Sequence, residues 1–150
     1  MISNDPLQTD VRFPDLARFK EGIKKLVDNG YFQKNIDILI NRTPGRLDLM
    51  GGNDDYTGGL VFETTIREAT LVAVQARVDQ IVRFNNPAVK QLGWSELVEF
   101  SLGDLADDSV VKPLEIVRAW VNADPKRSWC AYILGSLYFL MKHYPEKIET

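Results

Sequence analysis

Sixteen consecutive residues, Pro44 to Gly59, hold one arginine, Arg46, with three acids, Asp48, Asp54 and Asp55, and five glycines. Glycines open dihedral regions closed to other residues and let backbone amides approach a ligand. The Asp55 carboxylate is suited to accept two hydrogen bonds from vicinal hydroxyls, which fits a sugar. Arg46 carries a permanently charged fork, suited to a phosphate or to developing negative charge. Tyr56 either lines such a site or packs beneath it. Asp48 stands two residues after Arg46, so on a strand the two share a face and pair, a structural role. Residue types alone leave two readings open here. One is a plain tight connection, for which Gly, Asn and Asp are ordinary. The other is a binding loop.

Around this segment the hydrophobic pattern predicts the elements that must hold it. Leu16, Phe19, Ile23, Leu26 and Val27 recur at helical spacing, predicting a helix over Leu16–Asn29 with Asp15 as its cap and Gly30 as its stop. Ile36–Ile40 reads as a strand heading for Arg42, bent or broken at Pro44-Gly45, with Leu47 and Leu49 continuing to Met50. Leu60–Phe62 reads as a short strand, Ala69–Arg77 and Val78–Phe84 as longer ones with Asp79 near a turn, and Val98 and Phe100 mark another. Pro113–Val121 predicts a helix burying Leu114, Val117 and Val121, with Arg118 turned outward. Asp124-Pro125 ends it, and Ser128 caps a last helix over Trp129–Lys142. That helix is apolar over so broad a surface that it calls for partners on more than one side. Residues 1–11 read as a flexible leader. The pattern totals about five strands and three helices and leaves their order open.

Composition removes several classes of function. One cysteine, Cys130, excludes an internal disulfide and a thiolate metal cluster, and one histidine, His143, speaks against histidine-based zinc chemistry. The net charge of −3 comes from interspersed acids and bases, with no basic stripe for a nucleic acid. No apolar run reaches bilayer length, and the first residues lack a secretory pattern, so no membrane partner and a cytoplasmic setting are expected. The phosphate-loop pattern Gly-x-x-x-x-Gly-Lys-Ser/Thr and the pattern Gly-x-Gly-x-x-Gly are both absent.

The segment Pro44-Gly45-Arg46, Gly51, Asp55-Tyr56 and Gly58-Gly59 resembles the first signature of the GHMP small-molecule kinases, and within them the galactokinase branch and its arabinokinase-like members. The likeness continues weakly through Ile66-Arg67-Glu68-Ala69, and Trp129, Tyr132 and Gly135 fit the family's helix before its phosphate loop. It spans residues 36–142. The resemblance implies ATP-dependent phosphorylation of a sugar hydroxyl, often at the anomeric carbon, with ATP and Mg2+ as cofactors of the complete enzyme. It also implies the N-terminal part of the family's two-layer α/β (α+β) domain, a fold shared with a ribosomal protein domain, with an incomplete mixed sheet packed against helices. By the same likeness Arg46 is the catalytic residue near the transferred phosphoryl group. Asp55 holds sugar hydroxyls, and Tyr56 lies in the same substrate-facing loop.

Two departures from the galactokinase pattern shape the expectation. Galactokinases carry Glu-His where this chain has Gly52 and Asn53, and that glutamate helps hold the terminal hydroxymethyl group of the hexose. Gly52 widens the pocket, and arabinokinase-like relatives have a Gly-Gly pair aligned with Gly51-Gly52. Gly52 and Asn53 therefore join the substrate-binding residues, favouring a pentose, a uronic acid or a heptose derivative over galactose. Asp54 adds a negative charge that argues mildly against a carboxylated sugar. The family's glycine- and serine-rich phosphate loop and later catalytic aspartate have no counterpart in these 150 residues. The expectation is one partial domain over residues 1–150, the N-terminal portion of a sugar kinase, inactive alone and without tight ATP binding. The alternative is a non-catalytic sugar-binding or structural subunit. In either case an open sheet edge and the last helix invite a homodimer or a second chain.

Other residues read as structural. Arg42 is surface charge, and Glu63 and Glu68 are solvated at strand ends. Cys130, Trp94 and Trp120 are packing residues. His143 complements a helix C-terminus. Lys126-Arg127 is a solvated pair.

Overall fold

The computed structural model describes residues 13–107 and 110–144; the leader expected over 1–11 lies outside them. The chain divides between Ala76 and Arg77 into two compact units.

The first unit is a helix and a long antiparallel ribbon. Helix α1 spans Pro14–Asp28. Proline suits its first turn, where a missing N–H costs nothing. Asp15 lies inside that turn and is not the cap: no side chain caps this end. Its carboxylate instead takes a hydrogen bond from Arg42 Nε at 2.9 Å. Leu16 and Ile23 turn inward at helical spacing and are buried with Phe32. Gly30 ends the helix as expected, its N–H donating to Val27.

Strand β1 runs unbroken over Leu39–Met50 and pairs antiparallel with β2, Phe62–Val74. The sequence expectation had β1 bent or broken at Pro44-Gly45 and divided the β2 region between a short strand over Leu60–Phe62 and a longer one from Ala69. Pro44-Gly45 does not end β1. The register shifts there, with Pro44 opposite Ala69 and Arg46 opposite Thr65, so that Ile66–Glu68 of β2 bow out against Gly45 alone. A Cβ on Gly45 would sit 2.9 Å from Ile66 Cγ1, so the crossing needs glycine. A second shift between Asp48 and Met50 turns the ribbon into its loop. Gln75 fastens the α1–β1 connection: its side chain accepts from Gln33 N–H and donates to the Gln33 and Ile36 carbonyls.

The second unit has its own core. Strands β3 (Ile81–Asn85) and β4 (Leu97–Ser101) pair antiparallel and bury Phe84, Val98 and Phe100. The two-residue strands β5 (Ala106–Asp107) and β6 (Val110–Val111) pair likewise. Helix α2 (Leu114–Asn122) contributes Val117 and Val121, and α3 (Ala131–His143) contributes Leu134, Tyr138 and Met141. Arg118 is exposed, as the helical phase requires. Ser128 does not cap the last helix. Asp124 caps a 3₁₀ segment, Pro125–Cys130, by accepting from Lys126 N–H, and α3 follows directly. Each fully buried aliphatic side chain contributes about 1.5–3 kcal/mol here.

The architecture is α/β with helix and sheet segments alternating along the chain. Among the described residues the strands form three two-stranded antiparallel ladders rather than one mixed sheet. Several residues read as surface features have structural duties. Arg42 is largely buried, lies over the Phe13 ring at 4.6 Å and donates to the Arg67 carbonyl at 2.5 Å. Arg127 is no solvated partner of Lys126: its guanidinium lies 3.7 Å from the Trp120 ring centroid and donates to the Trp120 carbonyl. Trp120 packs edge-on against Phe100, as a packing residue should, whereas Trp94 remains exposed.

Candidate functional site

The ribbon brings Arg46 to a small ionic cluster. Arg46 and Asp48 share a strand face, and Arg46 Nε lies 3.0 Å from Asp48 Oδ1, the pairing their spacing predicts. Across the ladder Glu63 stands directly opposite Asp48, and Arg46 Nη1 lies 3.4 Å from Glu63 Oε1. Two like charges in register repel, so Arg46 bridges a pair that would otherwise work against the ribbon. The arginine side chain keeps 53% of its surface open. Glu63 is therefore not the solvated strand-end acid of the sequence reading. Burial pushes its carboxyl above the usual 4.5; nearby Arg46 lowers it, and the charges of Asp48 and Asp55 raise it.

Beyond Met50 the chain turns through Gly51 (φ +96°) and Gly52 (φ +49°) into a 3₁₀ turn, Asp54–Thr57, with Asn53 at its cap position. The left-handed backbone explains the double glycine better than pocket width alone. The turn is closed by its own backbone: Asp54 N–H donates to the Gly51 carbonyl at 2.8 Å and Gly59 N–H to the Asp54 carbonyl at 2.8 Å. Asp55 Oδ1 accepts from the Tyr56 N–H at 2.9 Å. Gly52, Asn53, Asp55 and Tyr56 are all exposed, and the Tyr56 ring is 82% open.

The structure thus gathers Arg46, Asp48 and Glu63 on one ribbon face and presents Gly52, Asn53, Asp55 and Tyr56 on the loop at its end. Glu63 is the member that the sequence reading set aside as a solvated strand-end acid. Its signal is parity and register: it becomes visible once Asp48 is paired across the ladder.

Among the described residues no three His, Cys, Asp or Glu side chains converge as metal ligands. No helix among them is long and apolar enough to cross a membrane.

Residues 30–76 match the galactokinase galactose-binding signature, a span that contains the whole ribbon and loop. The L-arabinokinase of Arabidopsis thaliana is 31% identical over 133 residues, which cover 75% of this chain and 13% of that protein. A galactokinase of Ligilactobacillus salivarius is 34% identical over 98 residues, 65% of this chain and 20% of that protein. One from Roseiflexus is 46% identical over 55 residues, 35% of this chain and 14% of that protein. The chain therefore spans about a fifth or less of the length of these relatives. No solved structure matches it significantly. With the signature lying across the ribbon that holds Arg46 and the loop that holds Asp55, the chain belongs to the GHMP kinase family, in its galactokinase and arabinokinase branch, through a partial N-terminal region.

Proposed function

We propose that this chain carries the sugar-binding side of an ATP-dependent sugar kinase. Asp55 accepts hydrogen bonds from vicinal hydroxyls of the sugar, Tyr56 flanks it, and Gly52 and Asn53 leave room where a galactokinase places larger side chains. Arg46, held by Asp48 and Glu63, stands beside the hydroxyl to be phosphorylated and stabilises charge on the incoming phosphoryl group. The substrate class is arabinose, a uronic acid or a heptose-like sugar rather than galactose. The phosphate-cradling loop, the catalytic aspartate and the ATP and Mg2+ sites belong to polypeptide other than these 150 residues, so alone they bind sugar without turning over ATP.

The observation that carries this reading is the continuity of Arg46 and Asp55 through one ribbon and loop, within the residues that bear the galactose-binding signature. Calorimetry against arabinose, galactose, glucuronic acid and a heptose tests it. Saturable binding of one of these sugars, lost in Asp55→Ala, is expected. A folded chain that binds none, or an Asp55→Ala variant that binds as the parent does, refutes it.

A second reading has one observation in its favour. The outer side of α3 presents an open, mostly apolar surface formed by Ala131, Tyr132, Gly135, Ser136, Phe139 and Leu140. A non-catalytic sugar-binding or structural subunit would use such a face to dock with a partner chain. Native mass measurement separates the cases, since a strictly monomeric chain excludes docking to a second copy.

A further inference from the structure

Two arginines of β1 flank the crossing at Gly45. Arg46 keeps half of its side chain open to a ligand, whereas the Arg42 side chain is only 15% exposed. The Arg42 guanidinium lies against the Phe13 ring, donates from Nε to Asp15 of α1 at 2.9 Å, and donates from Nη2 to the Arg67 carbonyl. That carbonyl belongs to the bowed residues 66–68 of β2, which stand outside the paired register. A bulge takes peptide groups out of the ladder, and a largely buried guanidinium is a strong replacement partner. The bow closes on Gly45 from both ends: a Cβ there would lie 2.9 Å from Ile66 Cγ1 and 3.3 Å from the Glu68 carbonyl oxygen.

The bow decides what faces Arg46. Residues 39–44 pair in one register, with Pro44 opposite Ala69; continued unchanged, it would set Arg46 opposite Arg67 and Met50 opposite Glu63. Three residues of β2 taken up against one of β1 instead bring Thr65 opposite Arg46 and Glu63 opposite Asp48. Glu63 then lies 3.4 Å from Arg46. The slip is of two residues, so every side chain keeps its face in either register, and the apolar pattern cannot choose between them. Repulsion between Arg46 and Arg67 disfavours the unbowed register. The hold on the Arg67 carbonyl favours the bowed one. We infer that Arg42 is a positioning residue: by gripping that carbonyl it selects the bowed register and so places Arg46 between Asp48 and Glu63. What Arg46 does from there rests on the sugar-kinase reading; how it is held does not.

Cross-strand NOEs and residue-resolved amide exchange on the isotopically labelled full chain test the inference, in the parent, Arg42→Gln and Asp15→Asn. In the parent, NOEs should link Arg46 with Thr65 and Asp48 with Glu63. Arg42→Gln should lose both. Exchange protection at residues 46–48 and 63–65 should fall about tenfold or more beyond any fall at residues 39–41 and 72–74, the scale of one charged hydrogen bond. A residue that merely supported stability would lower both stretches alike. Asp15→Asn, which removes the ion pair and leaves the Arg67 carbonyl within reach, should keep both NOEs. Should Arg42→Gln fail to fold, a urea titration of the parent decides: the Arg42 Nη signal and the Arg46–Thr65 NOE should vanish together. NOEs retained in Arg42→Gln, a uniform loss of protection, NOEs lost in Asp15→Asn, or an Arg46–Thr65 NOE that outlasts the Nη signal overturns the inference. Failure of the parent to bind any sugar refutes the sugar reading alone, since the NOE pattern is read without a ligand.

Discussion

Glu63 and Cys130 show how single residues acquire character from their surroundings. The Glu63 carboxyl is raised above its ordinary 4.5, so the folded chain binds its proton more tightly than the unfolded chain does. Its contribution to stability is fully present below the ordinary carboxylate range and is lost as pH rises through the shifted value. Glu63→Gln should therefore compare best with the parent at neutral pH and lose ground on acidification to about pH 4, read as the difference in Tm across a pH series. Cys130 is fully buried, donates to the Arg127 carbonyl at 3.0 Å, and has its thiol pushed up by burial. It should resist alkylation in the native chain and react within the mixing time once unfolded by denaturant, which mass spectrometry after an iodoacetamide pulse would show. The pairing of Arg46 with Asp48 was legible from their spacing, because strand parity is a local property. The burial of Arg127 against Trp120 was not, because it joins residues whose proximity depends on how a helix ends and a 3₁₀ segment begins.

At the scale of elements, the loop conformation resides in its glycines. Gly51 combines φ +96° with a neighbour, Val61 Cγ1, that would lie 2.8 Å from an added Cβ. Gly52 has φ +49° and open space around the same position. Gly52→Ala should cost about 1 kcal/mol from the left-handed backbone alone, and Gly51→Ala about 2–3 kcal/mol because strain and overlap add. Urea titration of the two variants measures the difference, and equal costs would show that the Val61 contact yields freely. Both helices that sequence periodicity placed well, α1 and α2, have one clear apolar stripe. Both misplaced caps, Asp15 and Ser128, were polar residues at plausible positions whose hydrogen bonds were decided elsewhere. Asp15 is claimed by Arg42, and the end that Ser128 would cap is already continuous with a 3₁₀ segment. The strands were cut short in the sequence reading for a related reason. Pro44-Gly45 was read as a break or a bend, and a register shift within one strand makes it a bend.

For the molecule as a whole, the two units carry separate demands. The core of the second rests on α3, where Leu134 is fully buried while Tyr132, Phe139 and Leu140 on the same helix stay 89%, 55% and 50% exposed. Leu134→Ala should cost about 2–5 kcal/mol. Phe139→Gln and Leu140→Gln should each stay within about 0.5 kcal/mol if nothing covers that face in the isolated chain. Thermal melts compare them, and a large loss in the outer-face variants would reveal a hidden contact. The breadth of apolar surface on this helix was plain from its residues, which by themselves name no face as inner or outer. The chemistry of the Pro44–Gly59 segment, the helical phases of α1 and α2 and the packing of Cys130 were determined locally, by residue type and spacing within a turn or two of backbone. The ladder register that sets Glu63 across from Asp48, the commitment of Arg42 to Asp15, and the choice of which side of α3 is buried were decided only in the tertiary structure. Each depends on segments distant in sequence meeting at one alignment out of several that the local pattern permits.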